Sequence, residues 1–203
     1  MIIGLDFDNT IVCYDDVFHR EAVAQGLVPA TVPADKNSVR NYLRDGGRED
    51  DWTRLQGHVY GVAIANAQAY PGLREFLRVA RAAGAEVHVV SHKTQHPVLG
   101  PAHDLHAAGR AWFAGAGLLD SDESPLSASR LHFELTAAAK RQRIAAIGCS
   151  VFVDDLPEFL LHPEFPGAVR RIMFDPSGTA APASLEVARS WADITRALFS
   201  GAV

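Results

Sequence analysis

The sequence predicts an α/β fold: a parallel sheet with helices on both faces, interrupted by a small helical insertion. Three observations predict it. Short apolar runs alternate with helical patterns along most of the chain, as they do in βαβ units. Those runs are apolar throughout, as strands covered on both faces are. One stretch, roughly Asp15 to Tyr70, breaks the alternation with helical signals and no convincing strand.

The elements follow in order. Ile2 to Phe7 reads as a strand, because β-branched and aromatic residues form one apolar run. Pro71-Gly72 opens a helix whose Leu73, Phe76, Leu77 and Ala80 recur at helical spacing, with Gly84 as its stop. "AEVHVVS" is a second strand ending at Ser91. "HDLHAAGRAWFAGAGLL" reads as helix, and "TAAAKRQRIAAIG" as another, with Thr136 as N-cap and Gly148 as stop. "SVFV" is a third strand, ending at Asp154, and "AVRRIMF" a fourth, ending at Phe174. "SLEVARSWADITRALF" reads as a closing helix. The expected division is a core of residues 1–14 and 71–203 with a helical insertion at 15–70. No internal repeat or low-complexity segment interrupts it.

Composition narrows the function. The 203 residues are 48% hydrophobic and 21% charged, enough for a sizeable core and too apolar for a disordered chain. Nineteen Lys and Arg against 24 Asp and Glu give a net charge of −5, with no dominant basic run, so no nucleic-acid partner is expected. An anionic small substrate would need local cations to draw it in. The two cysteines, Cys13 and Cys149, form no disulfide framework and read as small buried residues. No run of 18 apolar residues spans a membrane, and acids at positions 6 and 8 do not suit a signal peptide. A cytoplasmic protein is expected; its oligomeric state is not encoded in any pattern here.

Polar residues fall at the ends of three predicted strands: Asp6 and Asp8, then Ser91, then Asp154 and Asp155. Open parallel sheets bind ligands outside those ends. Three or more carboxylates gathered there repel unless a cation sits among them. Oxygen ligands without Cys or clustered His favour Mg²⁺ over zinc. A carboxylate beside a metal-bound phosphate can attack phosphorus, while a second acid protonates the leaving alkoxide and then activates water. A hydroxyl and an ammonium, Ser91 and Lys140, would hold the phosphoryl oxygens. Asp155, just before Leu156-Pro157, reads either as part of the metal group or as a helix N-cap.

These residues carry a family resemblance. DFDNT at Asp6–Thr10 resembles the DxDx[TV] motif of the haloacid dehalogenase (HAD) superfamily. "HVVS" resembles its second motif, Lys140 the lysine of its third, and "VFVDD" at Val151–Asp155 its fourth. All four occur in order across residues 2 to 155. The resemblance implies a Rossmann-like core, Mg²⁺ and an aspartyl-phosphate intermediate. It implies Asp6 as nucleophile, Asp8 as acid/base, and Ser91 and Lys140 as phosphate contacts, with Asn9 and Thr10 of motif one beside them. It implies Asp6, Asp8 and Asp154 at the metal, Asp8 through its main-chain carbonyl, with Asp155 a further candidate beside them. The family's dehalogenases are metal-independent and resemble DxY-type sequences at motif one; Asp8 here favours phosphoryl chemistry. The insertion resembles a C1-type cap, which accompanies small-molecule substrates. The expected activity is hydrolysis of a small phosphorylated metabolite. Transfer of the phosphoryl group to another acceptor uses the same intermediate. A phospho-receiver or non-catalytic ligand-binding domain combines similar groups, but receivers carry the acidic pair and the acceptor Asp in the reverse order.

Other residues are candidates for substrate contact. His92 and Lys93 directly follow Ser91 and should line the same crevice. In the insertion, Trp52, Gln56 and Tyr60 recur every four residues and share one helical face. That face reads either as packing within the cap or as a surface for a sugar or other polar group. Gly57 and Gly61 leave an adjacent face smooth for close packing. His103 and His106 lack a third ligand for zinc.

Overall fold

The computed structural model describes residues 1–178 and 182–200. They divide into two compact units. The first comprises Met1–Ile11, Ala69–His92 and the chain from Gly117 onward; the second comprises Val12–Gln68 and Lys93–Ala116.

The first unit is built on a six-stranded parallel sheet. Its strands are β1 (Ile2–Leu5), β4 (Glu86–His92), β5 (Leu131–Glu134), β6 (Val151–Asp154), β7 (Arg170–Phe174) and β8 (Glu186–Ala188), in the order β5-β4-β1-β6-β7-β8. Both faces are covered, and β7 shows how. Met173 belongs to a buried cluster with Phe152, Phe159, Phe165 and Ile144. Ile144 comes from α6 (Ala137–Ile147) and Phe159 from α7 (Pro157–Leu160). The next residue, Phe174, points the other way, as strand geometry requires. Its ring lies 5.6 Å from Trp191 of α8 (Trp191–Phe199), which in turn lies 4.8 Å from Phe76 of α4 (Leu73–Ala82). The result is an α/β sandwich with a Rossmann-like sheet.

The ends of α6 show why a sequence reading can locate a helix. Thr136 accepts a hydrogen bond from the Ala139 amide at 3.0 Å, and Gly148 takes a left-handed conformation at φ 73°. Cys149, just beyond, is buried, and burial pushes its thiol up to about 11.

The closing helix differs from the prediction, and two strands were not predicted. Residues 186–188 are strand β8, and the closing helix begins only at Trp191. Ser190 caps it by accepting from the Asp193 amide at 3.2 Å, a Ser-x-x-Asp signal that outweighs the helical spacing read upstream. Strand β5 was not foreseen. Both β5 and β8 are edge strands of four and three residues, and neither is long enough to establish a period.

The second unit is helical and larger than the predicted insertion. It holds α1 (Asp15–Ala24), α2 (Lys36–Asp45), α3 (Glu49–Gly61), a 3₁₀ turn at Ala63–Asn66 and also α5 (Leu105–Gly115). The strand β2 (Val12–Cys13) pairs with β3 (Gln68–Ala69) at the ends of the first segment. The predicted division left 93–116 with the core. Its attachment to α3 explains the difference. A Cβ on Gly57 would lie 2.7 Å from Pro97, and one on Gly61 would lie 2.6 Å from His103, so the smooth face of α3 is covered by this segment. Trp112 Nε1 donates to the Ala67 carbonyl at 2.9 Å. No helix among the described residues is long and apolar enough to cross a membrane.

Candidate active site

Strand order and register bring the polar residues of the first unit together. β1 lies between β4 and β6, with Leu5 opposite both Val89 and Val153. Asp6 and Asp154 therefore leave adjacent strands side by side, and the Asp6 amide donates to the Val153 carbonyl at 2.8 Å. Ser91, the last residue but one of the neighbouring strand, lies two residues past that register and is buried. The turn after Asp6 is a single tight one. The Ile11 amide donates to the Phe7 carbonyl at 3.0 Å, and Asn9 takes φ 59°, a left-handed conformation that asparagine tolerates better than most side chains. Asp8 and Asn9 are half-buried in this turn. Thr10 is fully buried, and its hydroxyl has no hydrogen-bond partner among the described residues.

Lys140 joins the two strand ends. It is the fourth residue of α6 and is 2% exposed. Its ammonium donates to Asp6 Oδ1 and to Asp154 Oδ2, both at 2.6 Å. The Phe159 ring lies 4.2 Å from the same nitrogen. Burial opposes the ammonium's charge, but Asp154 and Asp6 outweigh it and hold the Lys140 pKa above its ordinary range. Asp154, fully buried, also accepts from the Leu156 amide at 2.9 Å through Oδ1. The N-cap position of α7 is Leu156, one residue beyond Asp155.

Asp6 is the strained member of the group. Burial, first, and then the negative charges of Asp154 and Asp8 push its carboxyl up to about 7, against the pull of Lys140. One ammonium is not enough positive charge for these acids. Asp6, Asp154 and Asp155 each offer a carboxylate oxygen, all within 4.8 Å of one another. No other group of three His, Cys, Asp or Glu side chains converges in this way among the described residues. Two oxygens bound to one Mg²⁺ are about 3–4 Å apart, so the spacing suits a small ion. The charges suit it too. With Lys140 counted, the three carboxylates carry an excess of two negative charges, which a divalent cation matches. The Asp8 carboxyl lies outside this group, and its expected ligand is the main-chain carbonyl, on which the carboxylate spacing has no bearing.

The remaining candidates are dispersed. His92 is exposed at the end of β4; partial desolvation, then the nearby Lys140 charge, lower its imidazole pKa. Lys93, Gln56 and Tyr60 belong to the second unit, as does Trp52. Trp52 is 2% exposed, with its ring 5.0 Å from Phe18, so it is core and offers no substrate surface. A four-residue spacing identifies a shared helical face but not the depth of each residue on it. Gln56 and Tyr60 are half-buried. The His106 Nε2 bonds the Lys93 carbonyl at 2.7 Å, and His103 packs on Gly61. The aromatic wall at Phe159 was not anticipated, although Pro157 opening a helix just after the paired acids places it there.

Comparison with known proteins bears on the fold. No family model matches the sequence, and no curated protein does. Solved structures do match. A HAD family hydrolase from Deinococcus radiodurans R1, with bound phosphate and sodium, is 16% identical with a TM-score of 0.58, over 98% of this chain and 95% of that one. A predicted phosphoglycolate phosphatase from Haemophilus somnus is 15% identical with a TM-score of 0.56, over 97% of each chain. A dehalogenase is 12% identical with a TM-score of 0.57, over 97% of this chain and 96% of that one. The chain has the haloacid dehalogenase superfamily fold.

Proposed function

We propose that the chain is a Mg²⁺-dependent phosphatase that hydrolyses a small phosphorylated metabolite through phospho-Asp6. The observation that carries this reading is the buried convergence of Asp6, Lys140 and Asp154 at adjacent strand ends, with Asp155 beside them. Asp6, Asp154 and Asp155, with the Asp8 carbonyl, would hold the cation, which supplies charge stabilisation for phosphoryl oxygens. The chain's own groups do the rest. Asp6 attacks phosphorus, forming an O–P bond to its carboxylate as the ester O–P bond breaks. Asp8 gives its proton to the departing alkoxide. It then takes a proton from water, which attacks the phospho-Asp6 phosphorus and frees the Asp6 carboxylate. Lys140 favours the ionised form of Asp6 against its burial and, with the Ser91 hydroxyl, offsets charge on the phosphoryl oxygens. Phosphoryl transfer to an alcohol differs only in the second acceptor.

Similar structures include both phosphatases and a dehalogenase, and Asp8 at motif one supports the phosphatase reading. The test is a screen of phosphate monoesters and 2-haloacids, with Mg²⁺ and with EDTA. Phosphate release that needs Mg²⁺ is expected. Halide release without metal, or phosphate release undiminished by EDTA, would overturn the reading. Phosphorylated alcohols in the presence of added acceptors would identify a transferase instead.

A further inference from the structure

His88 and His132 form a hydrogen-bonded pair within the first unit, outside the candidate active site. His88 lies in β4 and His132 in the edge strand β5, where Val90 pairs with His132. His88 Nδ1 lies 3.1 Å from His132 Nε2, and His88 Nε2 lies 2.7 Å from Glu86 Oε1. His88 is buried and His132 half-buried. Val90, on the same face of β4 as His88, packs with Ile144, so the pair lies on the α6 side of the sheet.

The protons along this line are countable. The bond from His88, and then the charges of Arg130 at 3.7 Å and of the N-terminus, hold the Glu86 carboxyl below its ordinary range. An ionised Glu86 accepts from His88 Nε2. A neutral His88 then has a bare Nδ1, which accepts from His132 Nε2. The pair tolerates one added proton, because an imidazolium still donates to a neutral imidazole. It does not tolerate two, because both facing nitrogens then carry N–H groups and like charges meet across the same bond.

The charged groups around the pair have partners of their own. On α6, Lys140 is paired with Asp6 and Asp154, Arg141 with Glu164, and Arg143 with Glu134 of β5. β1, which meets His88 at Gly4, carries no charged side chain, and the Cys149 thiol beside Gly4 stays protonated.

We propose that Glu86, His88 and His132 form an acid-sensitive clasp, which ties the edge strand β5 to β4 and weakens the fold as pH falls. β5 leads through Thr136 into α6, so the clasp also secures the helix that carries Lys140. The proposal is independent of the chemistry at Asp6.

The test compares the parent chain with His132→Gln by urea unfolding in EDTA at pH 7 and pH 5. Glutamine keeps an amide in place of the ring but takes up no proton. Below about pH 6.5 the unfolded parent charges both imidazoles, one proton more than the folded pair holds, so stability declines with pH. Between pH 7 and pH 5 the parent's folding equilibrium constant should fall about tenfold or more beyond any fall in the variant. Titration of Asp6 is common to both proteins and cancels. A second measurement needs no variant. In ¹⁵N-labelled parent at pH 5, ring nitrogen shifts should show a single imidazolium in the pair, with nitrogen–nitrogen coupling retained across the His88–His132 bond. Equal pH dependence of parent and variant, two charged rings at pH 5 in the folded protein, or no coupling at either pH would overturn the proposal.

Discussion

Asp6→Asn should make the metal-free protein more stable, even though it removes a salt bridge. Asp6 is buried, and its carboxyl is pushed from its ordinary 3.8 to about 7. Because the folded value lies above the unfolded one, the folded state keeps a proton that the unfolded chain has released. The associated stability is complete below about pH 3.8 and is lost as pH rises through about 7. The interval from 3.8 to about 7 is worth about 4 kcal/mol at full ionisation. Asparagine keeps the shape but carries no charge, and Lys140 retains Asp154 at 2.6 Å. Allowing for relaxation of the cluster, a gain of about 2 kcal/mol at pH 8 is expected, or about 4–8 °C in Tm for a chain of this size. The assay is thermal unfolding of both proteins in EDTA from pH 5 to pH 8. The gap should widen with pH, and saturating Mg²⁺ should narrow it, because only the parent has its full set of carboxylates. A variant that melts below the parent at pH 8, or a gap that does not change with pH, would refute the reasoning. Either result would mean that the Lys140 pair stabilises the fold more than the buried charge destabilises it.

Asp154→Asn should lower Mg²⁺ affinity by at least about tenfold, measured by calorimetric titration, since it removes one of three converging carboxylates. Asp8→Asn should lower kcat by about 10²–10⁴-fold. The same variant should leave the Mg²⁺-induced rise in Tm intact, because its carboxyl lies outside the metal group. Trp52→Ala should cost about 3–5 kcal/mol in denaturant unfolding, the loss for a buried aromatic, and leave the ranking of phosphate esters as it was.

Much of this site was legible because its chemistry and its strands coincide. Asp6, Ser91 and Asp154 stand at the ends of apolar runs long enough to read as strands, and Lys140 sits in a helix with a clear cap and stop. What sequence could not supply was pairing. The sharing of one Lys140 ammonium by two carboxylates follows from β1 lying between β4 and β6, and adjacency of strands distant in the chain leaves no local pattern. The same gap accounts for the second unit. Gly57 and Gly61 announce that something packs closely on α3, but only the fold identifies it as the segment carrying Pro97 and His103. Trp52 and Tyr60 share a helical face, yet one is core and the other half-buried, because depth depends on neighbours such as Phe18 rather than on spacing.

The most direct test of the central claim is the identity of the phosphorylated residue. Protein turning over p-nitrophenyl phosphate with Mg²⁺ is quenched in acid and reduced with borohydride, which converts an aspartyl phosphate to homoserine. Asp8→Asn is run alongside, because slowed breakdown should let the intermediate accumulate. Peptide mass spectrometry should find the conversion at Asp6 and nowhere else. Conversion at Asp8 or Asp154, or turnover by an Asp6→Asn protein at the parent's rate, would contradict the account.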